Sequence, residues 1–250
     1  MLVEKLKIYG YILKLTLHKT KRTSDIIKSE YNDGLWNRTN ENSASTINKM
    51  YNKKDDETGL FVNDEIFLFS TYKNQAKKYW NQILTNLSDY KNSEVVELGC
   101  GLGANLFQLE KNGFKNLHGF DISENAILLA RKNNENNTIK FNVLDMTHSL
   151  PDFTNKIIFT HACLEQLKHS MKTVIQNIVD SNPKLVINFE VNYDNSPFMV
   201  RKYFDALDYQ NNLVRELNKN MNVEIISIQK FPVSLSSVNR LSCIIWKTIK

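Results

Sequence analysis

The stretch that most constrains this 250-residue chain runs from Glu94 to Leu106. Val95, Val96 and Leu98 form a short apolar run that reads as a buried parallel strand. Gly99, Gly101 and Gly103 then alternate with Cys100 and Leu102, and apolar residues resume at Leu106 and Leu109 with helical spacing. A strand that breaks into glycines and restarts as a helix lets backbone N–H groups come close to a ligand, because no Cβ intervenes. A dinucleotide fingerprint requires G-x-G-x-x-G. Here the order is G-C-G-L-G followed by Ala104-Asn105, and Glu97 stands before the first glycine. A carboxylate at that point repels a pyrophosphate but accepts from an ammonium group.

The downstream order adds to this. Leu117 to Ser123 reads as a second strand ending in Asp121, about 20 residues beyond the glycine loop. A carboxylate there can accept from two hydroxyl donors side by side. Ser123 is placed to cap a helix beginning at Glu124. Ile139–Val143 is a third strand with Leu144-Asp145-Met146 after it, and Lys156–Thr160 is a fourth, followed by His161 to Leu167. These motifs, in this order over roughly 90–170, resemble those of the class I S-adenosylmethionine-dependent methyltransferases, residues 94–106 standing as motif I. More loosely, the E-Q-L run, the Tyr-rich segment after strand five and the final I-I-W-K resemble bacterial methyltransferases encoded with surface-polysaccharide genes.

The resemblance implies S-adenosylmethionine as cofactor, held by Glu97, Gly99, Cys100, Gly101, Gly103, Asp121, Ile122, Asp145, Met146 and His161. It implies that Asp121 takes the ribose hydroxyls and that Asp145 accepts from the adenine amino group. Counting on through Leu185–Val191, Val223–Phe231 and Leu241–Ile249 gives seven strands. The expected fold is α/β, a doubly wound, Rossmann-like seven-stranded sheet with an antiparallel C-terminal strand pair and an N-terminal helical arm. Residues 1–60 are read as that arm or lid and 61–250 as the methyltransferase domain. Phe198–Leu217 is expected to be one aromatic-rich helix, and 61–90 one or two helices with Phe61, Ile66, Phe69, Tyr72, Tyr79, Trp80, Ile83 and Leu87 along one face, mostly core.

Composition narrows the partners. The net charge of +5 is spread along the chain and makes no stripe for nucleic acid. Three cysteines, odd in number and far apart, fit a reducing cytoplasm, and no His/Cys cluster has metal spacing. Residues 1–22 alternate leucine with lysine. The plain reading is a helix packed on the domain or on a second copy of the chain, giving a homodimer; the sharper one is a weak membrane-surface contact. Residues 23–60 are polar, yet they contain Tyr31, Trp36 and Arg38, so either a small apolar anchor or a lid that meets substrate is expected there.

For catalysis, His161 directly follows the fourth strand, where the superfamily's motif IV faces the methyl group, and it is read as a general base or as a packing residue. Glu165 resembles the Glu of the L-E-H motif, but Gln166 replaces the His, so no metal is expected; Glu165 stands as a second catalytic candidate or as a structural acid. Glu190 and Tyr193 after strand five, with Trp36 and Arg38, are the substrate candidates. The segment lacks the N/D-P-P-Y/F of amino-methylating nucleic-acid and protein enzymes. The reading is therefore O-methylation of a small polar acceptor such as a sugar, a phosphorylated precursor or a capsule or lipopolysaccharide group. N-methylation of an amine or protein side chain is the alternative, favoured by an acidic, aromatic-walled pocket, and a non-catalytic cofactor-binding subunit is a third reading.

Overall fold

The computed structural model describes residues 21–35, 60–62, 65–67, 72–210, 212–231 and 241–249. Residues 1–20, Trp36 and Arg38 lie outside the described residues. In chain order the elements are α1 (Ser24–Ser29), which continues as a π-helical turn through Leu35, then β1 (Leu60–Val62), β2 (Glu65–Phe67) and α2 (Tyr72–Leu87). Next come β3 (Glu94–Leu98), α3 (Ala104–Lys111), β4 (Asn116–Asp121), α4 (Glu124–Asn133), β5 (Ile139–Val143) and β6 (Ile157–His161). The chain continues with α5 (Met171–Asp180), β7 (Leu185–Val191), α6 (Phe198–Ala206), α7 (Leu213–Lys219), β8 (Val223–Lys230) and β9 (Leu241–Thr248).

β1 and β2 form a separate antiparallel hairpin. The other seven strands form one sheet in the order β5-β4-β3-β6-β7-β9-β8, parallel from β5 to β7 and antiparallel at β9 and β8. This is the doubly wound sheet, seven strands by count, with the antiparallel C-terminal pair that the family resemblance implies. Crossing from β3 to β4 on one side and to β6 on the other creates a switch point, and ligands of open α/β sheets bind outside the strand ends at such a point.

Burial explains the strand order. β7 is buried along its whole length, as befits a strand covered on both faces. At the sheet edge, β8 places Glu224, Ile226 and Ile228 in solvent. Alternation then decides what each face carries. Val95, Ile157, Phe159, Ile187 and Phe189 pack under Tyr79, Ile83 and Leu87 of α2 and Leu106 and Leu109 of α3. Val96, Leu98, Ile158 and Val186 pack on the other face under Val174 and Ile178 of α5 and Leu213 and Leu217 of α7. By the same parity His161 falls on the α2 face. Thr160 and Asn188 fall on the other, where Trp246 Nε1 donates to Asn188 Oδ1 at 2.6 Å and Asn188 Nδ2 donates to Thr160 Oγ1 at 3.0 Å.

Two stretches depart from their sequence reading: Phe61 and Ile66, read as part of one or two helices over 61–90, lie in the β1–β2 hairpin, where two three-residue strands pair, and the helix expected after β7 is broken. The segment Phe198–Leu217 is two helices, α6 and α7, not one. Asp208 sits between them at φ +57°, and a left-handed residue cannot continue a right-handed helix. Gln210 then receives the second helix, its Oε1 accepting the N–H groups of Asn212 and Leu213 at 3.0 Å. Among the described residues no helix is long and apolar enough to cross a membrane.

Candidate active site at the strand ends

The glycine loop is shaped by protein contacts as well as by any ligand. Gly99 (φ +78°) and Gly103 (φ +76°) both need left-handed backbone, and a Cβ would come within 2.6 Å of Cys163 at the first and 2.5 Å of the Phe141 ring at the second. The N–H groups of Gly99 and buried Cys100 both donate to Phe120 O, which ties the loop to β4. Gly101 N donates to Asp121 Oδ2 at 2.8 Å, while Asp121 Oδ1 accepts from Ser123 N at 2.9 Å. Burial raises the Asp121 carboxyl, and the N–H groups of Ser123, Gly101 and Ile122 oppose that rise.

Glu97 is fully buried at the end of β3. Its Oε1 accepts from Asn105 Nδ2 at 2.5 Å, and its Oε2 has no partner among the described residues. Burial without a counter-charge pushes its carboxyl well above the usual range, with the Asn105 amide acting the other way. A buried acceptor with a free oxygen fits a ligand that brings an N–H group or a positive charge. Asp145, at the end of β5, holds Thr147 through the N–H at 2.8 Å and the hydroxyl at 2.7 Å. Next to it, Met146 reaches toward Gly99, within 3.8 Å of where a Cβ would stand. The Glu97, Gly99–Gly103, Asp121 and Asp145 segments thus meet at the C-terminal ends of β3, β4 and β5.

The second half of the site follows β6 and β7. His161 Nε2 lies 2.6 Å from Tyr79 Oη, and its ring stacks at a tilt on Trp80, centroids 5.5 Å apart. Burial lowers the imidazole to about 4, its own backbone carbonyl opposing, so it is neutral at pH 7. Ala162 follows at φ +49°. Cys163 and Leu164 then donate their N–H groups to Glu190 Oε1 at 3.1 and 3.2 Å. Glu190, read from sequence as a substrate contact, is fully buried beneath this turn. Burial raises it to about 7 despite those N–H groups. Glu165, in a short 3-10 turn rather than at the start of a longer helix, is raised to about 8 by burial and by Glu190, with Arg22 opposing. Tyr193 stands apart: its hydroxyl donates to Asp205 at 3.0 Å, and it lines a surface groove with Asp194, Arg215 and Lys219.

Several residues of the site escape sequence reasoning. Tyr79 reads as core and is core, at 4% exposure, yet its hydroxyl meets His161. Tyr31 and Asn32, from the turn after α1, meet Gln166 Nε2 and the Ser123–Asn125 cap respectively. His169, four residues after Glu165, pairs not with it but with Asp208, at 2.6 Å. The Tyr-Trp pair on an amphipathic helix and Tyr31 in an otherwise polar run were the signals the sequence offered. Among the described residues no group of His, Cys, Asp or Glu could hold a metal ion.

An open, doubly wound α/β sheet with a glycine loop at its switch point defines the Rossmann-like class of proteins. Residues 89–245 match the family model of methyltransferase domains, and the chain belongs to that family. A protein of Methanocaldococcus jannaschii assigned as a protein N5-glutamine methyltransferase is 35% identical over 63 residues, 25% of this chain and 32% of that protein. The match therefore spans about a third of that relative's length. Among solved structures, magnesium protoporphyrin IX methyltransferase from Synechocystis superposes with a TM-score of 0.60 at 14% identity, covering 90% of this chain and all of that one. A methyltransferase from Anabaena variabilis gives 0.58 at 13% identity over 92% and 98% of the two chains. The [4+2]-cyclase SpnF gives 0.63 at 9% identity over the same shares. These likenesses establish the fold; that a cyclase shares it shows that the fold alone does not choose the reaction.

Proposed function

We propose that this methyltransferase moves the methyl group of S-adenosylmethionine to an oxygen of a small polar acceptor, such as a sugar or a phosphorylated precursor. The donor supplies an activated methyl carbon; Glu97, Asp121, Asp145 and the glycine loop are the residues that would hold it. The observation that carries the oxygen reading is the buried, neutral His161 with its Nε2 2.6 Å from the Tyr79 hydroxyl. A hydroxyl acceptor must lose a proton as its bond to carbon forms. Tyr79 can take that proton as it passes its own to His161 Nε2, so the pair moves one proton without a buried charge forming on the phenol. The surface-polysaccharide assignment rests on the sequence resemblance alone.

N-methylation remains the second reading, supported by the acids Glu165 and Glu190 and the aromatic residues Tyr31 and Tyr209 beside them. Arg22, however, already brings a positive charge to Glu165. The deciding experiment is a labelled methyl-transfer assay over matched hydroxyl and amine acceptors. On the preferred acceptor, His161→Ala should lower turnover about 10²–10⁴-fold, and the acid limb of the wild-type profile should fall near pH 4. Transfer to amines alone overturns the oxygen reading, and a variant with normal turnover at every pH leaves His161 as a packing residue.

A further inference from the structure

The described arm touches each loop that follows β4, β5 and β6. Asn32 Oδ1 accepts from Asn125 N at 3.0 Å and Ser123 Oγ at 3.2 Å, immediately beyond Asp121. Ser24 Oγ is 3.3 Å from the hydroxyl of Thr147, the residue that Asp145 holds. Tyr31 meets Gln166 in the loop after β6. What fastens the start of this arm lies far away in sequence. Arg22 N donates to Asp208 Oδ2 at 3.2 Å, and the Arg22 guanidinium donates to Gln166 Oε1 at 3.0 Å.

Asp208 is built for one conformation. It is buried at the left-handed turn between α6 and α7 and also takes Lys168 Nζ at 3.2 Å and His169 Nε2 at 2.6 Å. A buried carboxylate held by the Lys168 ammonium and the His169 ring on one side and a backbone N–H on another fixes the relative placement of the segments that bring them.

We infer that Asp208 is a positioning residue for the donor site: by anchoring Arg22 it docks the arm across the strand-end loops, and the donor and its product leave only when the arm lifts. This rests on the donor reading above. Entry and exit then share one opening step, and the strength of the anchor sets how long the product stays.

The test uses the full chain, tritiated S-adenosylhomocysteine with an unlabelled chase, and hydrogen exchange of the residue 24–35 amides. In Asp208→Asn, release and arm exchange should both quicken by about tenfold, the effect of one lost charge-assisted hydrogen bond. Arg22→Pro, outside the sheet, removes the N–H that Asp208 accepts; it should do the same and serves where Asp208→Asn does not fold. Unchanged release in both variants, or faster release with unchanged arm exchange, overturns the inference. Failure of the wild type to bind the product overturns the donor reading, and the inference with it.

Discussion

The two halves of the site are held together differently. After β3, β4 and β5 each acid finds a partner close by in sequence, Glu97 in Asn105, Asp121 in Ser123 and Asp145 in Thr147, and Asp121 adds Gly101 from the glycine loop of the preceding unit. After β6 and β7 the partners come from elsewhere in the chain: His161 with Tyr79, Gln166 with Arg22 and Tyr31, Cys163 N with Glu190, His169 with Asp208. A strand–loop–helix unit can set the first kind of site almost alone. The second exists only when the arm, α2 and the α6–α7 turn have all packed. The acids after β3, β4 and β5, proposed to hold the donor, thus rest mostly on nearby sequence with the arm laid across them, whereas the half after β6 and β7, proposed to meet the acceptor, rests on the tertiary structure throughout.

Three substitutions can sharpen or break that contrast. The largest effect is expected for Gly103→Ala, where left-handed strain adds to a Cβ placed 2.5 Å from the Phe141 ring. A loss of about 4 kcal/mol in denaturant unfolding is expected; a change below about 1 kcal/mol would show the loop to be pliable and its local logic weak. Next is Asp121→Ala, which removes the acceptor of the Gly101 and Ser123 N–H groups and the one offered to the donor. Calorimetry should show donor affinity lower by about 2–3 kcal/mol, and unchanged affinity in a folded variant would take Asp121 out of the site.

The smallest effect concerns Glu165→Gln. The folded carboxyl titrates near 8 and the unfolded one near its ordinary 4.5, so the folded state binds more protons between these values. Wild-type stability is therefore lost as pH rises through this window, and Gln, which does not ionise, escapes the loss. The variant should gain about 1–2 kcal/mol on wild type between pH 5 and pH 8. Parallel stability curves for the two proteins would mean that Glu165 is not the strained acid of the acceptor half.

The contrast also explains what could be read without coordinates. Ile139–Val143 and Leu185–Val191 coincide with β5 and β7, and Ser123 caps α4 with its side chain accepting from Ala126 N, because runs of apolar residues and caps are local signals. The break at Asp208 was not legible, since its turn is stabilised by Lys168, His169 and Arg22, none a sequence neighbour. The role of Tyr79 was hidden for a related reason: a buried aromatic looks the same in sequence whether or not its hydroxyl meets an imidazole. Glu190 showed as an acid at a strand end, but not that the Cys163–Leu164 turn folds over it.

The sheet order carries one more consequence, for biosynthesis. β9 enters between β7 and β8, pairing Val191 with Leu241 and Val186 with Trp246. A ribosome makes β7 long before β9, so the nascent chain presents an apolar strand with an open hydrogen-bonding flank until Leu241–Thr248 has emerged. Only the last of the described strands relieves that exposure, and it also delivers the indole that closes the Asn188–Thr160 chain beneath β6. Vectorial synthesis therefore leaves the packing beneath the β6 and β7 strand ends for last, and a chain stalled before Leu241 would be a client for chaperones rather than a partly working enzyme.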